Sequence, residues 1–217
     1  MVPMKKNRLR AEGEKVQVNR FYHPQKKKHL VKVFPGGVYC SSDDDEIICT
    51  GLGSCIAACI WDEEFQIGGM NHFLLPFDSN AELRHWHPDE LLSTASRYGS
   101  YAMEILINDL VSHGANRQKL KVKLFGGANL MGQFAMIGEK NIEFILSYVG
   151  QEKLNVIAED LGGKEPRKVM FEPTTGRAWI RKIPFSEVNK IHHDEEKYAH
   201  QLDEESHKNR DDDVELF

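Results

Sequence analysis

The sequence predicts an α/β (α+β) fold in a single domain, and two observations lead to this class. Segments with the apolar–polar alternation of strands are interspersed with segments that have the period of amphipathic helices, between residues 30 and 185. The chain has 217 residues, of which 41% are hydrophobic, and this length is sufficient to bury one sizeable core. We therefore expect strands and helices interspersed along one folded domain.

The predicted elements of the first part are strands. Residues 30–33 form a short strand, which the turn Pro35-Gly36-Gly37 closes. Residues 47–49 are extended in character, and a Gly-rich turn follows them. Residues 56–61 are apolar throughout, and their periodicity fits either a buried strand or the first turns of a buried helix.

Helices and strands alternate in the second part. Pro88 marks the start of an amphipathic helix, since proline suits the first helical position, and Gly114 marks its end. Lysine alternates with leucine or valine over residues 119–125, which predicts a half-buried strand. The elements predicted after it are a helix at 141–149, a strand at 154–158, and a strand pair formed by 168–171 and 178–183.

The charge distribution separates this domain from the two ends of the chain. Residues 1–33 carry ten basic and two acidic side chains, whereas residues 186–217 carry four basic and eleven acidic ones. Charged segments with few apolar residues do not bury enough surface to fold. We expect a basic N-terminal tail at 1–29, a folded domain at 30–185 and a disordered acidic C-terminal tail at 186–217.

Composition also excludes several functional classes. The net charge of −5 is too mild to indicate a nucleic-acid partner. The first thirty residues lack the apolar stretch of a secretory signal. The apolar run at 47–61 contains Gly51 and Gly53 and is shorter than the roughly 17–25 residues of a spanning helix. We expect a cytoplasmic protein with reduced cysteines and no insertion into the membrane.

Cys55 is the most suggestive candidate for chemistry because it follows a Gly-x-Gly-Ser turn. The glycines allow a sharp turn whose N–H groups, including those of Gly53 and Ser54, point to one place and can receive an oxyanion. A helix that began just after the turn would lower the pKa of the thiol. The structural alternative is that Cys55 is a small buried apolar residue, as most free cysteines are.

A nucleophilic cysteine needs a base, and His72 is the best placed histidine. It lies seventeen positions after Cys55, which is enough for a strand, a turn and a returning strand that bring the two together. A lone histidine of this kind is more often a hydrogen-bonded core residue. A zinc site from Cys49, Cys55, Cys59 and His72 is a third possibility, but the spacings match no common zinc pattern.

Eight short motifs, in order over residues 32–183, resemble the CheD family of bacterial chemoreceptor glutamine deamidases. They are Pro35-Gly36-Gly37-Val38-Tyr39, Leu52-Gly53-Ser54-Cys55, Asn71-His72-Phe73-Leu74-Leu75-Pro76, Arg97-Tyr98-Gly99, Phe125-Gly126-Gly127-Ala128-Asn129, Gly138-Glu139-Lys140-Asn141, Asp160-Leu161-Gly162-Gly163 and Arg167-Lys168-Val169. The resemblance implies a layered sandwich of mixed β-strands with helices packed outside them, similar to bacterial toxin deamidases. It also implies an amidohydrolase that converts glutamine side chains of methyl-accepting chemotaxis receptors to glutamate without a cofactor.

The resemblance also implies roles for individual residues. Cys55 is the nucleophile, His72 its base, and the product of attack on the amide is a thioester that water hydrolyses. A family threonine that orients the histidine stands six positions before the cysteine, where this chain has Cys49. We expect Thr50 to take that role, with a local shift at Gly51 that turns it toward His72.

Two matters stay open from the sequence. Asn71, Gly126, Gly127 and Asn129 are either turn residues or the border of a substrate groove. The departure at position 49 favours an alternative function, a non-catalytic adaptor that binds receptors or a CheC-type phosphatase, the family's other known partner. A metal-binding regulator built on the four cysteines is the weaker alternative.

Overall fold

The computed structural model describes residues 18–75, 94–130, 135–184, 193–198 and 201–202, and the described residues form two five-stranded sheets and two long helices. In spatial order, the first sheet contains β1 (Val18–His23), β2 (Lys28–Val33), β4 (Glu46–Leu52), β9 (Arg167–Phe171) and β10 (Ala178–Lys182). The second contains β3 (Val38–Ser41), β6 (Ile67–Asn71), β5 (Ile56–Asp62), β7 (Lys121–Gly126) and β8 (Asn155–Leu161).

Both sheets are mixed, as the sequence predicts. β2 and β4 are parallel neighbours, and so are β7 and β8, while the other ladders are antiparallel. The helices are α1 (Thr94–Ser112) and α2 (Ala135–Gln151), and a short 3₁₀ helix at Arg117–Lys119 precedes β7. The predicted start of α1 at Pro88 lies outside the described residues.

The sheets and helices form three layers with two cores between them. β5 is buried on both faces and contributes to both cores. Ile56, Ala58 and Ile60 pack with the second sheet against α1 and α2, whereas Ala57, Cys59 and Trp61 face the first sheet. Since neighbouring side chains of a strand point to opposite faces, this double burial explains why the strand is apolar throughout. A layered α/β sandwich with its helices outside is confirmed.

The first sheet begins before the predicted domain boundary. β1 lies within the segment expected to be a basic tail, and it pairs with β2 from Val18↔Val33 to His23↔Lys28. The antiparallel ladder satisfies its backbone hydrogen bonds, which composition alone does not reveal.

The acidic end of the chain also contains ordered structure where the sequence predicts disorder. Residues 193–198 are helical, and with residues 201 and 202 they form what we call the C-terminal segment. Tyr198 and Leu202 are buried in the core between the two sheets. Glu195 of this segment is buried as well, so part of the predicted tail belongs to the folded domain.

Candidate active site

The turn that carries Cys55 is built so that its N–H groups face one place. The carbonyl of Gly53 accepts a hydrogen bond from Ala128 N at 2.8 Å, and that of Cys55 accepts one from Gly127 N at 2.8 Å. The carbonyl of Ser54 between them accepts from Asn141 Nδ2 at 2.9 Å. Because the C=O of one residue points opposite to the N–H of the next, the anchored carbonyls of Gly53 and Ser54 direct the N–H groups of Ser54 and Cys55 to the other side.

The anchor of the Ser54 carbonyl is a residue that the sequence analysis did not single out for the site. Asn141 lies on α2, is fully buried, and also accepts a hydrogen bond from Leu75 N at 2.9 Å. It therefore ties the Cys55 turn to the chain that follows His72. Its position in the Gly138–Asn141 motif was the only sequence signal that could have identified it.

His72 is brought to Cys55 by the hairpin of β5 and β6. Directly after Cys55, Ile56 forms a bridge with Phe73, the residue after His72, through hydrogen bonds of 3.0 and 2.9 Å. His72 N also bonds to Gly37 O at 3.0 Å, in the turn that ends β2. The predicted strand, turn and returning strand are confirmed.

Thr50 contacts the histidine ring and determines its tautomer. Its hydroxyl donates its single proton to Val33 O at 2.8 Å, and its Oγ1 lies 2.7 Å from His72 Nδ1. A hydroxyl that already donates its proton can only accept from the ring, so Nδ1 carries a hydrogen and Nε2 does not. Nε2 is buried with no hydrogen-bond partner among the described residues, as suits a nitrogen that takes up a proton.

Strand alternation, and not a bulge, turns Thr50 toward His72. Ile48 and Leu52, two positions away on either side, lie in the core between the sheets, and Cys49 packs with Leu30 and Ile47 on the opposite face of β4. The ladder of β4 with β9 is regular from Ile48 to Leu52. The contact between Thr50 and His72 is the expected one, while the local shift expected at Gly51 is absent from this ladder.

The N–H groups of the turn converge on the carboxylate of Glu195, from the C-terminal segment. Oε1 accepts from Gly53 N at 2.7 Å and Cys55 N at 3.3 Å. Oε2 accepts from Ser54 N at 2.9 Å and Ser54 Oγ at 3.0 Å. A carboxylate oxygen, a ring nitrogen of His72 and the Cys55 Sγ all lie within 4.8 Å of one another. Sequence reasoning missed Glu195, because nothing distinguishes it from its acidic neighbours.

This trio also bears on the metal alternative. Among the described residues, the group close enough to share an ion contains Cys55, His72 and Glu195, and neither Cys49 nor Cys59 belongs to it. The two oxygens of Glu195 already accept four hydrogen bonds from Gly53, Ser54 and Cys55. The four-ligand zinc site considered from the sequence is therefore not assembled in this arrangement.

Burial determines the protonation of the pair. Cys55 is completely buried, which raises the pKa of its thiol well above the ordinary value, and the charge of Glu195 raises it further. Burial lowers the pKa of His72 to about 3. Residues after Cys55 form β5, so the helix that was to lower the pKa of the thiol does not exist. The pair is a neutral thiol and a neutral imidazole.

The residues considered for a substrate groove lie elsewhere. A cavity of about 330 Å³ adjoins the site, and its lining includes Thr50, His72 and Cys49. The basic side chains of Lys32, Lys168 and Arg181 and the acidic ones of Asp194 and Glu195 also line it. None of the four groove candidates, Asn71, Gly126, Gly127 and Asn129, lines it.

Each groove candidate contacts the fold itself. Asn71 is fully buried and bonds to Ala58 N at 2.9 Å and Ala102 O at 3.0 Å. Asn129 is exposed and bonds to Glu139 at 3.2 Å. A Cβ at Gly126, whose φ is +117°, would lie 2.0 Å from Cys55 O, so only glycine fits against the turn. These positions support the site without bordering the cavity.

The fold and the site together define a two-sheet α/β protein with a buried cysteine–histidine pair beneath converging N–H groups. Comparison with known proteins gives the family. A family model described as "CheD chemotactic sensory transduction" matches residues 79–182. A protein of Vibrio vulnificus (strain CMCP6), named "Probable chemoreceptor glutamine deamidase CheD", is 58% identical over 204 residues, which are 94% of each chain.

Two further relatives bear the same name. The protein of Vibrio cholerae serotype O1 (strain M66-2) is 58% identical over 212 residues, 98% of this chain and 89% of its own. That of Halorhodospira halophila (strain DSM 244 / SL1) is 43% identical over 188 residues, 87% of this chain and 86% of its own. The chain belongs to the CheD family. In the described part of the chain, neither α1 nor α2 has both the length and the apolar character that crossing a membrane requires.

Proposed function

We propose that this protein hydrolyses the side-chain amide of specific glutamines in methyl-accepting chemotaxis receptors, with Cys55 as nucleophile and His72 as base. The observation that carries the proposal is the relay from Val33 O through Thr50 to His72 Nδ1, which leaves Nε2 free of hydrogen. A base of fixed tautomer near a thiol, under converging N–H groups, is the arrangement that acyl transfer requires.

The first half of the reaction forms the thioester. The Cys55 sulfur attacks the amide carbon while His72 Nε2 takes the thiol proton, so the neutral pair reacts without a preformed thiolate. The carbonyl oxygen becomes negative and is held by the N–H groups of Gly53, Ser54 and Cys55. His72 then gives its proton to the departing nitrogen, and the C–N bond breaks to release ammonia.

Water completes the reaction. His72 takes a proton from a water molecule, whose oxygen attacks the thioester carbon. The C–S bond breaks, the sulfur recovers its proton, and glutamate leaves. The receptor thereby gains one negative charge. No step needs an electron acceptor or a cofactor.

The cavity beside the site suits a partner with acidic character. Lys32, Lys168 and Arg181 line it beside Asp194 and Glu195 of the C-terminal segment, and the excess of basic side chains favours negative charge around the glutamine. Receptor helices that carry glutamates next to the target glutamine fit this description. The protein would act in the cytoplasm, where these receptor helices lie.

The test is the mass of a receptor cytoplasmic fragment incubated with the protein. Conversion of an amide to an acid adds about 1 Da, and fragment mapping identifies the glutamine. We expect Cys55→Ala to abolish the gain and Cys49→Ala to leave it within about twofold, because Thr50 is the residue that contacts His72, whereas Cys49 packs with Leu30 and Ile47. Full conversion by Cys55→Ala would overturn the assignment.

The alternative function is an adaptor that binds receptors or a CheC-type phosphatase without catalysis. Its sequence support was the absence of threonine at position 49, and the contact of Thr50 with His72 removes that support. Receptor binding by the wild-type protein without a change in receptor mass would favour the adaptor instead.

A further inference from the structure

The C-terminal segment covers the proposed site, and its contacts are specific. Glu195 is only 2% exposed and directs its carboxylate into the N–H groups of the Cys55 turn. Next to it, Asp194 forms an ion pair of 3.3 Å with Lys32, one of the basic side chains at the cavity. A buried carboxylate that accepts four hydrogen bonds is a built contact, not an incidental one.

Glycines on the domain leave the space that the segment occupies. A Cβ at Gly53 would lie 2.6 Å from Glu195 Oε2, and a Cβ at Gly36 would lie 2.6 Å from the Tyr198 hydroxyl oxygen. Leu202 follows Tyr198 into the core between the sheets. Glu195 and Tyr198 are spaced by three positions, the spacing that places two side chains on one face of the helix at 193–198.

Glutamate is the product of the proposed reaction, and here a helical glutamate sits where that product would form. We propose that the C-terminal segment is an intrachain competitor of the receptor helix, in which Glu195 occupies the place of the substrate glutamine side chain. The inference rests on the proposed function, since the chemical likeness is between Glu195 and deamidated glutamine.

Two consequences follow for the enzyme. A receptor helix gains access only after the segment leaves, so the observed affinity falls by the fraction of molecules in which the site is open. The segment also shapes the chemistry, because a neutral glutamine amide in place of Glu195 removes the negative charge beside the thiol. Departure of the segment therefore both opens and activates the site.

The first test is alkylation of Cys55 by iodoacetamide, which needs no receptor. In the reaction the sulfur bonds to the acetamide carbon and iodide leaves. We expect Glu195→Ala to increase the rate at Cys55 about tenfold or more, measured by peptide mapping, because removing the carboxylate frees the segment. The matched control is Glu196→Ala, on the same helix but outside the N–H contacts.

The same variants are then assayed on the receptor fragment. Faster deamidation by Glu195→Ala than by wild type, with Glu196→Ala unchanged, supports the inference. Equal alkylation and equal deamidation by all three proteins would overturn the inference while the proposed function stands. Faster alkylation with no deamidation by any protein would overturn the proposed function while the covering of Cys55 stands.

Glu195→Gln tests the place of the side chain directly and keeps its shape. Placed as a substrate, the new glutamine is attacked by Cys55, releases ammonia, and returns to glutamate with water, so residue 195 gains about 1 Da over time. Glu195→Gln combined with Cys55→Ala should not change in mass. A protein that deamidates the receptor fragment but leaves this glutamine intact would contradict the proposed placement.

Discussion

The site has two parts, Thr50 with the Cys55 turn and the C-terminal segment, and the two are held in different ways. Thr50 and the start of the Cys55 turn lie on β4, whose backbone pairs with β2 on one side and β9 on the other. The C-terminal segment meets the domain through side chains, and the described backbone–backbone bonds include none from it to either sheet. Thr50 and the start of the Cys55 turn belong to the sheet, whereas the C-terminal segment packs against the domain.

The N–H groups of the Cys55 turn therefore belong to the domain, whereas Glu195, which accepts their hydrogen bonds, belongs to the C-terminal segment. The N–H groups of Ser54 and Cys55 are directed by the hydrogen bonds of the preceding carbonyls to Ala128 and Asn141, so their direction does not depend on Glu195. Opening the segment costs only the local contacts that it makes, while opening the sheet costs global stability. The following predictions probe that difference, from the largest effect to the smallest.

The largest expected difference is in the loss of stability when one aromatic residue is truncated in the sheet and one in the C-terminal segment. Phe171 on β9 and Tyr198 on the segment share the core between the sheets. We expect Phe171→Ala to lower the free energy of unfolding by about 3–5 kcal/mol, since the sheet cannot close the cavity. Tyr198→Ala should lower it by about 2 kcal/mol or less, because the segment can detach instead. Urea denaturation measures both.

The alkylation rate of Cys55 supplies the control for this pair. Detachment of the segment in Tyr198→Ala predicts faster labelling of Cys55 in the native protein, at urea concentrations well below the transition. Equal losses of stability for the two variants, with unchanged labelling, would show that the segment is as firmly part of the domain as β9.

Substitutions at the neighbours Thr50 and Cys49 test the part of the site on β4, without altering the C-terminal segment. We expect Thr50→Ala to lower the turnover about tenfold, as for the loss of one hydrogen bond of ordinary strength. Thr50→Ser keeps the hydroxyl and should retain most of the turnover. Steady-state kinetics on the receptor fragment is the measurement, with turnover and KM reported separately.

Cys49→Ala is the matched control, because it removes a side chain on the other face of the same strand. Its turnover should stay close to that of wild type. If Thr50→Ala were silent and Cys49→Ala severe, the orienting role would pass to position 49, where the family resemblance places it.

Strand alternation explains why much of the fold and the site could be predicted. The separation of Cys55 and His72 predicted a hairpin, and β5 and β6 form it. Thr50 shares a face with Ile48 and Leu52, so the period of two directs it inward. Local patterns of this kind depend on residues that are close together in the sequence, so one sequence is enough to predict them.

Patterns of consecutive residues do not reveal contacts between segments that are far apart in the sequence. Glu195 lies 140 residues from Cys55 in the chain, and only the folded structure distinguishes its carboxylate from those beside it. Asn141 reaches Ser54 over 87 residues for the same reason. The composition of residues 186–217 predicts disorder because the segment is rich in charge and poor in apolar residues. Composition does not reveal that Glu195, Tyr198 and Leu202 are buried against the domain.

The smallest predicted effect is a pH dependence that comes from His72. Burial lowers the pKa of His72 to about 3 in the folded protein, while in the unfolded chain it has the ordinary value of about 6.5. Between these values the unfolded chain binds a proton that the folded protein does not. The free energy of unfolding therefore falls with decreasing pH, by about 1.4 kcal/mol per unit below pH 6.5.

Replacement of His72 isolates its share of this dependence. From pH 7.5 to 5.5, wild type should lose about 1.4 kcal/mol more than His72→Gln, as measured by urea denaturation at each pH. His113→Gln, at an exposed histidine, is the control for the loss of an imidazole elsewhere in the protein. An identical loss in wild type and His72→Gln would mean that the imidazole takes up a proton in the folded state, which the site can accept only if the segment has already opened to water.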